Sequence, residues 1–160
     1  MTIEIRALTH ADIDAVVGLS LRAWAPVFAS FETVLGEDIY RRIYPDWLSS
    51  QARDVAKVCT EHAATTWVAT AGDEPVGFVA LVLNDADRGS EIEMLAVDPA
   101  HQRKGIADAL ISYAVEQARA AGAQLVAIGT GGDPGHAPAR RAYEKAGFTA
   151  LPQVRYYRAL

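Results

Sequence analysis

The residues best equipped for chemistry stand in Val97-Asp-Pro-Ala-His-Gln-Arg-Lys-Gly-Ile-Ala107, where a strand-like run stops at Pro99 and a basic loop turns into a helix. The first amides of a helix have no internal acceptors, and the helix dipole favours negative charge there, so such a junction binds anions. Gly105 allows a ligand close to the backbone, and Arg103 and Lys104 add positive charge. The loop is not a P-loop, because the Gly-x-x-x-x-Gly-Lys-[Ser/Thr] spacing is absent. A second glycine-rich loop, Gly129-Thr-Gly-Gly-Asp-Pro134, puts proline where a dinucleotide fingerprint needs its third glycine, which excludes that reading.

Two sets of titratable groups flank these loops. Glu91 and Glu93 alternate onto one face of the strand that ends at Val97, either as proton acceptors or as plain solvated carboxylates. Asp133 precedes His136 by three residues, and an aspartate orienting a histidine makes a base that works near neutral pH. The plainer alternative is that one of them caps the helix starting near Pro138. His10, His62 and His101 have no such context and read as surface or capping residues. Cys59, the single cysteine, falls in an apolar helical pattern with no histidine at a telling spacing, so it reads as a core thiol.

The elements that must position these groups follow from periodicity. Ile3–Ala7 alternates like a strand, and Thr9 with Asp12 resembles a helix start before an apolar-periodic run to Trp24. Six of the thirteen aromatic residues, Trp24, Phe28, Phe31, Tyr40, Tyr44 and Trp47, then occur in a stretch interrupted by Pro26, Gly36 and Pro45, which reads as broken helix and loop. Asp46 caps a further helix to about His62. Residues 65–70 and 76–83 form a hairpin of β-branched and aromatic residues, and 90–97 adds a third strand, bulge-prone between Leu95 and Val97. Gly105 to Ala121 keeps a helical period up to Gly122. Gln124–Ile128 reads as a buried strand, Pro138–Ala146 as a short helix ended by Gly147, and Val154–Ala159 as a last strand. The order is strand, helices, three strands, helix, strand, helix, strand, in one domain over residues 1–160.

With these elements placed, Gln102-x-x-Gly105-x-Ala107 after Leu95-Ala-Val-Asp-Pro99 resembles the coenzyme A signature of the GNAT superfamily of N-acetyltransferases. Ala139-Arg-Arg-Ala-Tyr143-Glu-Lys-Ala-Gly-Phe148 is similar to that family's second block, at the usual helix-plus-strand distance downstream. The resemblance implies an α/β (α+β) fold with a mixed, mostly antiparallel central sheet flanked by helices. It also implies acetyl-CoA as acetyl donor and direct transfer to an amine in a ternary complex, with no metal. By the same resemblance the amides of Arg103, Lys104, Gly105, Ile106 and Ala107 hold the pyrophosphate after Gln102, and the main chain of Leu95, Ala96 and Val97 pairs with the pantetheine arm. The amide of Leu95 or Val97 then faces the acetyl oxygen. His136, Ala139 and Tyr143 border the donor, with Tyr143 protonating the leaving thiolate. His136 stands where an asparagine is commoner in the family. Glu91 is at the position where some members carry a catalytic glutamate, and Glu93 and His136 are the other candidate bases. The aromatic segment covers the acceptor site in such proteins, so Trp24, Phe28, Phe31 and Glu91 are candidate acceptor contacts, with Glu32, Glu37 and Asp38 as attraction for an ammonium group. Packing of helices on the sheet would use the same aromatics.

Composition narrows the rest. The net charge of −5 divides into −8 over residues 1–97 and +3 over residues 98–160, which suits a cationic acceptor in the first part and an anionic donor in the second. It argues against non-specific nucleic-acid binding. No run of about 20 apolar residues suggests a membrane span. Charges within Met1–Arg6 leave no export signal, and a lone cysteine fits a reducing cytoplasm. The expected acceptor is a small-molecule or peptide amine, and the tail from Arg155 to Arg158 is a candidate homodimer contact. O-acetyl transfer and a catalytically silent acyl-CoA sensor are the competing functions.

Overall fold

A computed structural model describes residues 2–160 of the chain. Its sheet is assembled in chain order: β1 (Ile3–Ala7), β2 (Thr66–Ala71), β3 (Glu74–Asn84) and β4 (Gly89–Val97) pair antiparallel, and β5 (Leu125–Ile128) joins β4 in parallel. β2 and the centre of β3 are buried on both faces, which is why they read as continuous apolar runs rather than alternating ones. On one face lie α1 (Ile13–Leu35), α2 (Glu37–Ile43) and α3 (Trp47–Glu61), with Val16, Leu19, Val55 and Cys59 packed on Val68, Phe78, Ala80 and Ala96. On the other lies α4 (Ile106–Ala120), whose Ile106, Leu110, Ala114 and Ala118 meet Val79, Leu81, Ile92 and Val97. α5 (Ala137–Lys145) follows β5 and is tied to the first turn of α4 by Lys145 and Asp108 at 2.7 Å. The arrangement is the mixed, mostly antiparallel sheet flanked by helices that the sequence implies.

Local chemistry sets the element starts. Asp12 Oδ2 accepts from the Thr9 amide at 2.8 Å and from Arg6 Nη1 at 2.7 Å, and its Oδ1 accepts from Arg6 Nη2 at 2.9 Å, so one carboxylate closes the β1-to-α1 turn. Asp46 accepts from the Ser49 amide at 3.3 Å and starts α3 as expected.

Four expectations are corrected. α1 continues through Pro26 to Leu35, because burial of Val16, Leu19 and Phe28 holds the helix where proline alone would break it. Thus the helical stretch His10–Leu35, with a mean hydropathy of 1.2, is long and apolar enough by composition to cross a membrane; here it serves as the core helix on the sheet. β5 is an edge strand rather than a buried one: among the described residues only β4 pairs with it, and Leu125 is 69% exposed. The bulge falls at Glu93, where Met94 faces Ala80 and Ile92 faces Leu81, and not between Leu95 and Val97. Finally, residues 154–159 form no strand. Alternation gives Val154 and Tyr156 strand character, but they pair with no strand among the described residues and are 77% and 90% exposed.

Candidate functional site

The sheet parts at one point. Ile92 and Ile128 are the last rung between β4 and β5, after which β4 continues through the Glu93 bulge to Val97 while the other chain turns away. From Glu93 onward β4 therefore has one open edge. The Asp98 amide donates to the Val76 carbonyl at 2.8 Å, and Leu95 and Val97 pair opposite Val79 and Gly77. Alternation along an antiparallel ladder then turns the main-chain groups of Leu95 and Val97 away from β3, into the gap. Gln102 Nε2 donates to the Val97 carbonyl at 3.1 Å and ties the following loop to this edge. The side chains of Leu95 and Val97 are core residues at the same time.

That loop ends in a run of free donors. Among the described residues, no acceptor is found for the amides of Arg103 through Asp108, which lead through Gly105 into α4. Arg103 and Gly105 are both left-handed, with φ of 62° and 78°, and successive amides in such a turn converge on a concavity suited to an anion. Ile106 anchors the helix start in the core, and Ala107 packs beside it. Arg103 and Lys104 are exposed above it. His101, read from sequence as a surface or capping residue, is half-buried at the bend, and its buried Nδ1 has no partner among the described residues. The free amides and the two cations suit a phosphate-bearing ligand.

Beyond β5, the turn Asp133–His136 is built around one carboxylate. Asp133 Oδ1 lies 2.5 Å from His136 Nδ1, and Oδ2 accepts from Ser30 Oγ of α1 at 2.7 Å and from the Gly135 amide at 3.1 Å. Arg140 Nη1 donates to the Gly131 and Asp133 carbonyls at 2.6 and 2.8 Å, fixing the turn to α5. The glycines of this loop are there for close approach: a Cβ at Gly131 would strike the Asp133 carboxylate and His136 Nδ1, and one at Gly135 would strike Ser30. Burial opposes ionisation of Asp133, but the hydrogen bonds from His136 and Ser30 outweigh it and hold its carboxyl below the usual range.

The aromatic segment resolves into two parts. Phe28 stacks on Trp47 at 4.4 Å, Phe31 stacks on Tyr44 at 5.5 Å, and Phe31 also lies 5.5 Å from the His136 ring. Trp24 is set apart and packs on the core with Met94. Phe28 is buried within the cluster, so Phe31 is the member that meets the Asp133–His136 turn. Glu37 and Asp38 are held by Arg41 and Arg42 within α2, at 2.6 and 3.1 Å, which leaves Glu32 as the carboxylate of that group without an ion-pair partner among the described residues.

Glu91 and Glu93 are both exposed but differ in setting: Glu91 pairs with Val82 and Ala127 inside the ladder, and Glu93 is the bulge residue with no rung. Ala139 is half-buried on α5. The Tyr143 ring is 6.4 Å from that of Phe148, and burial alone pushes its hydroxyl above the ordinary range, with no hydrogen bond contributing. Cys59 is fully buried and its thiol is pushed up to about 11, as befits a core residue. Ser30 escaped the sequence reading, because a serine more than a hundred positions from Asp133 carries no local signal.

These features define the class. Residues 34–148 match the Acetyltransferase (GNAT) family, and the chain belongs to it. It is 36% identical over 84 residues to the uncharacterized N-acetyltransferase YsnE of Bacillus subtilis (strain 168), covering 52% of this chain and 55% of that protein, so the chain spans about half the length of this relative. In fold it is similar to an acetyltransferase of the GNAT family from Desulfovibrio desulfuricans, with a TM-score of 0.72, 22% identity and coverage of 94% and 87% of the two chains. It is likewise similar to the PaiA N-acetyltransferase of Thermoplasma acidophilum in complex with coenzyme A, with a TM-score of 0.75, 17% identity and coverage of 96% and 94%.

Proposed function

We propose that this chain is an acetyl-CoA-dependent N-acetyltransferase that moves an acetyl group directly to an amine in a ternary complex. The observation that carries the donor half is the run of free amides from Arg103 to Asp108 beneath Arg103 and Lys104, beside the open edge of β4. Arg103 through Ala107 would hold the pyrophosphate, and the main chain of Leu95 and Val97 would pair with the pantetheine amides as an added strand does. Acetyl-CoA supplies the activated thioester. An amide of Leu95 or Val97 placed on the carbonyl oxygen would stabilise its developing charge, a contact whose loss costs about 100-fold or more in rate. Tyr143 would give its proton to the departing sulfur. Phe31 and the cluster behind it form the wall that an amine would meet from the α1 side, with Glu32 attracting a cation.

The acceptor we infer is a small-molecule or peptide amine, in the cytoplasm. We also infer that two copies associate through the open edge of β5 and the tail of residues 149–160, because one chain carries both an unpaired strand edge and a strand-like segment without a partner. The activity test is release of free thiol from acetyl-CoA in the presence of a panel of primary amines and, separately, of alcohols. Acetylation of an amine with stoichiometric thiol release is the expected result. Turnover with alcohols only would reassign the chain to O-acetyl transfer, and donor binding without turnover on any acceptor would make it a sensor.

A further inference from the structure

We propose that His136 is the residue that takes the proton from the acceptor amine, and that Asp133 and Ser30 are the positioning residues that hold it ready. This rests on the acetyl-transfer reading and deepens it. Asp133 and His136 are only 8% and 15% exposed at their side chains, and every oxygen of the Asp133 carboxylate is engaged: Oδ1 with His136 Nδ1, Oδ2 with Ser30 and the Gly135 amide. An ionised carboxylate in that position fixes the ring proton on Nδ1 and leaves the Nε2 lone pair as the basic site. A helix cap alone would not need the histidine in this arrangement, since the Gly135 amide is already satisfied by Asp133 and by Ser30 Oγ at 3.0 Å. The loop also gives up side chains at Gly131 and Gly135 to let the pair close.

Placement favours His136 over the strand glutamates. It meets Phe31 of the aromatic wall, and Ser30, the neighbour of Phe31 on α1, holds its partner Asp133. Glu91 sits inside the paired part of β4, before the split, and Glu93 has no group orienting it among the described residues. In the step assigned here the ammonium loses one proton to Nε2, the freed lone pair forms the C–N bond, and the C–S bond breaks. Of the two protons the nitrogen loses overall, one ends on the thiol by way of Tyr143 and one passes from His136 to water.

Steady-state kinetics with the best amine of the panel separate the roles. His136→Ala should lower kcat about 100-fold with the KM for acetyl-CoA nearly unchanged, and added imidazole should restore part of the rate. Asp133→Asn, which keeps acceptor capacity for Ser30, should lower kcat at least 10-fold with the same unchanged donor KM. A raised donor KM with normal kcat would instead make His136 a donor contact, and a Glu91→Gln enzyme that alone loses the rate would move the base to the strand; either result overturns the inference. A wild-type protein that acetylates amines while His136→Ala keeps full rate defeats this proposal and leaves the acetyl-transfer reading intact. Nitrogen NMR of the ring gives a check that needs no acceptor: the proton should reside on Nδ1 in the wild type and lose that preference in Asp133→Asn. A ring protonated on Nε2 in the neutral form would also overturn it.

Discussion

Tyr143 presents a hydroxyl that no group among the described residues engages, at the end of a half-buried ring. A thiolate leaving group has a conjugate-acid pKa of about 8.5 and a tyrosine one of about 10, so full proton transfer costs roughly 2 kcal/mol. Burial raises the Tyr143 value further and with it that cost, so in the proposed role a hydrogen bond to the developing anion would contribute more than complete transfer. The sign of the pH effect follows: an acid must be protonated to act, and a raised pKa keeps it so, which places any alkaline loss of rate due to Tyr143 above pH of about 10. Tyr143→Phe keeps the ring and removes only the hydroxyl. It should lower kcat about 10- to 1000-fold with donor affinity and melting temperature nearly unchanged. Full activity in that variant would remove Tyr143 from the mechanism.

At the scale of elements, the open edge of β4 and the start of α4 work as one unit, since Gln102 couples the Val97 carbonyl to the loop that the free amides follow. Gly105 is the hinge of this unit, with a φ of 78° and, its chain neighbours aside, no atom of the described residues within 4 Å of where a Cβ would stand. A side chain there costs backbone strain of about 1–2 kcal/mol and fills the space above the amides. Gly105→Val should weaken acetyl-CoA binding at least 10-fold in calorimetric titration with a modest fall in melting temperature. Gly105→Asn, which tolerates the left-handed region, controls for strain. Unchanged affinity in a folded valine variant would sink the assignment of this loop to the donor.

Over the whole molecule, the edges of the sheet decide what remains unpaired. β5 has four residues, one neighbour and an exposed Leu125, while Leu151, Val154, Tyr156 and Leu160 of the tail stand in solvent and Arg155 lies over the Tyr157 ring at 5.4 Å. If two copies cover these edges, light scattering should give twice the chain mass at micromolar concentration, and removing residues 149–160 should return the mass to that of one chain. The amides of Leu125–Ile128 should then exchange faster in the shortened protein. A single-chain mass for the intact protein at every concentration tested would exclude the association.

Local chemistry was legible wherever one segment supplies both partners. Asp46 with Ser49, the hairpin of β2 and β3, the helical period from Ile106 to Ala120 and the two family blocks around Gly105 and Tyr143 all follow from neighbours in sequence. The Asp133–His136 spacing leaves both a base and a cap open in sequence; in the structure Asp133 does cap the turn, through the Gly135 amide, and holds His136 with its other oxygen. Tertiary structure decided what depends on distant groups. Ser30 reaches Asp133 only because α1 runs unbroken past Pro26, and that continuity comes from burial against the sheet, a term that propensity does not contain. The bulge at Glu93 arises from the register of β4 against β3, and β5 is an edge because no second strand among the described residues reaches it. The tail shows the same rule in reverse: alternation at Val154 and Tyr156 specifies a strand-like segment, but a strand exists only when a second backbone offers its hydrogen bonds.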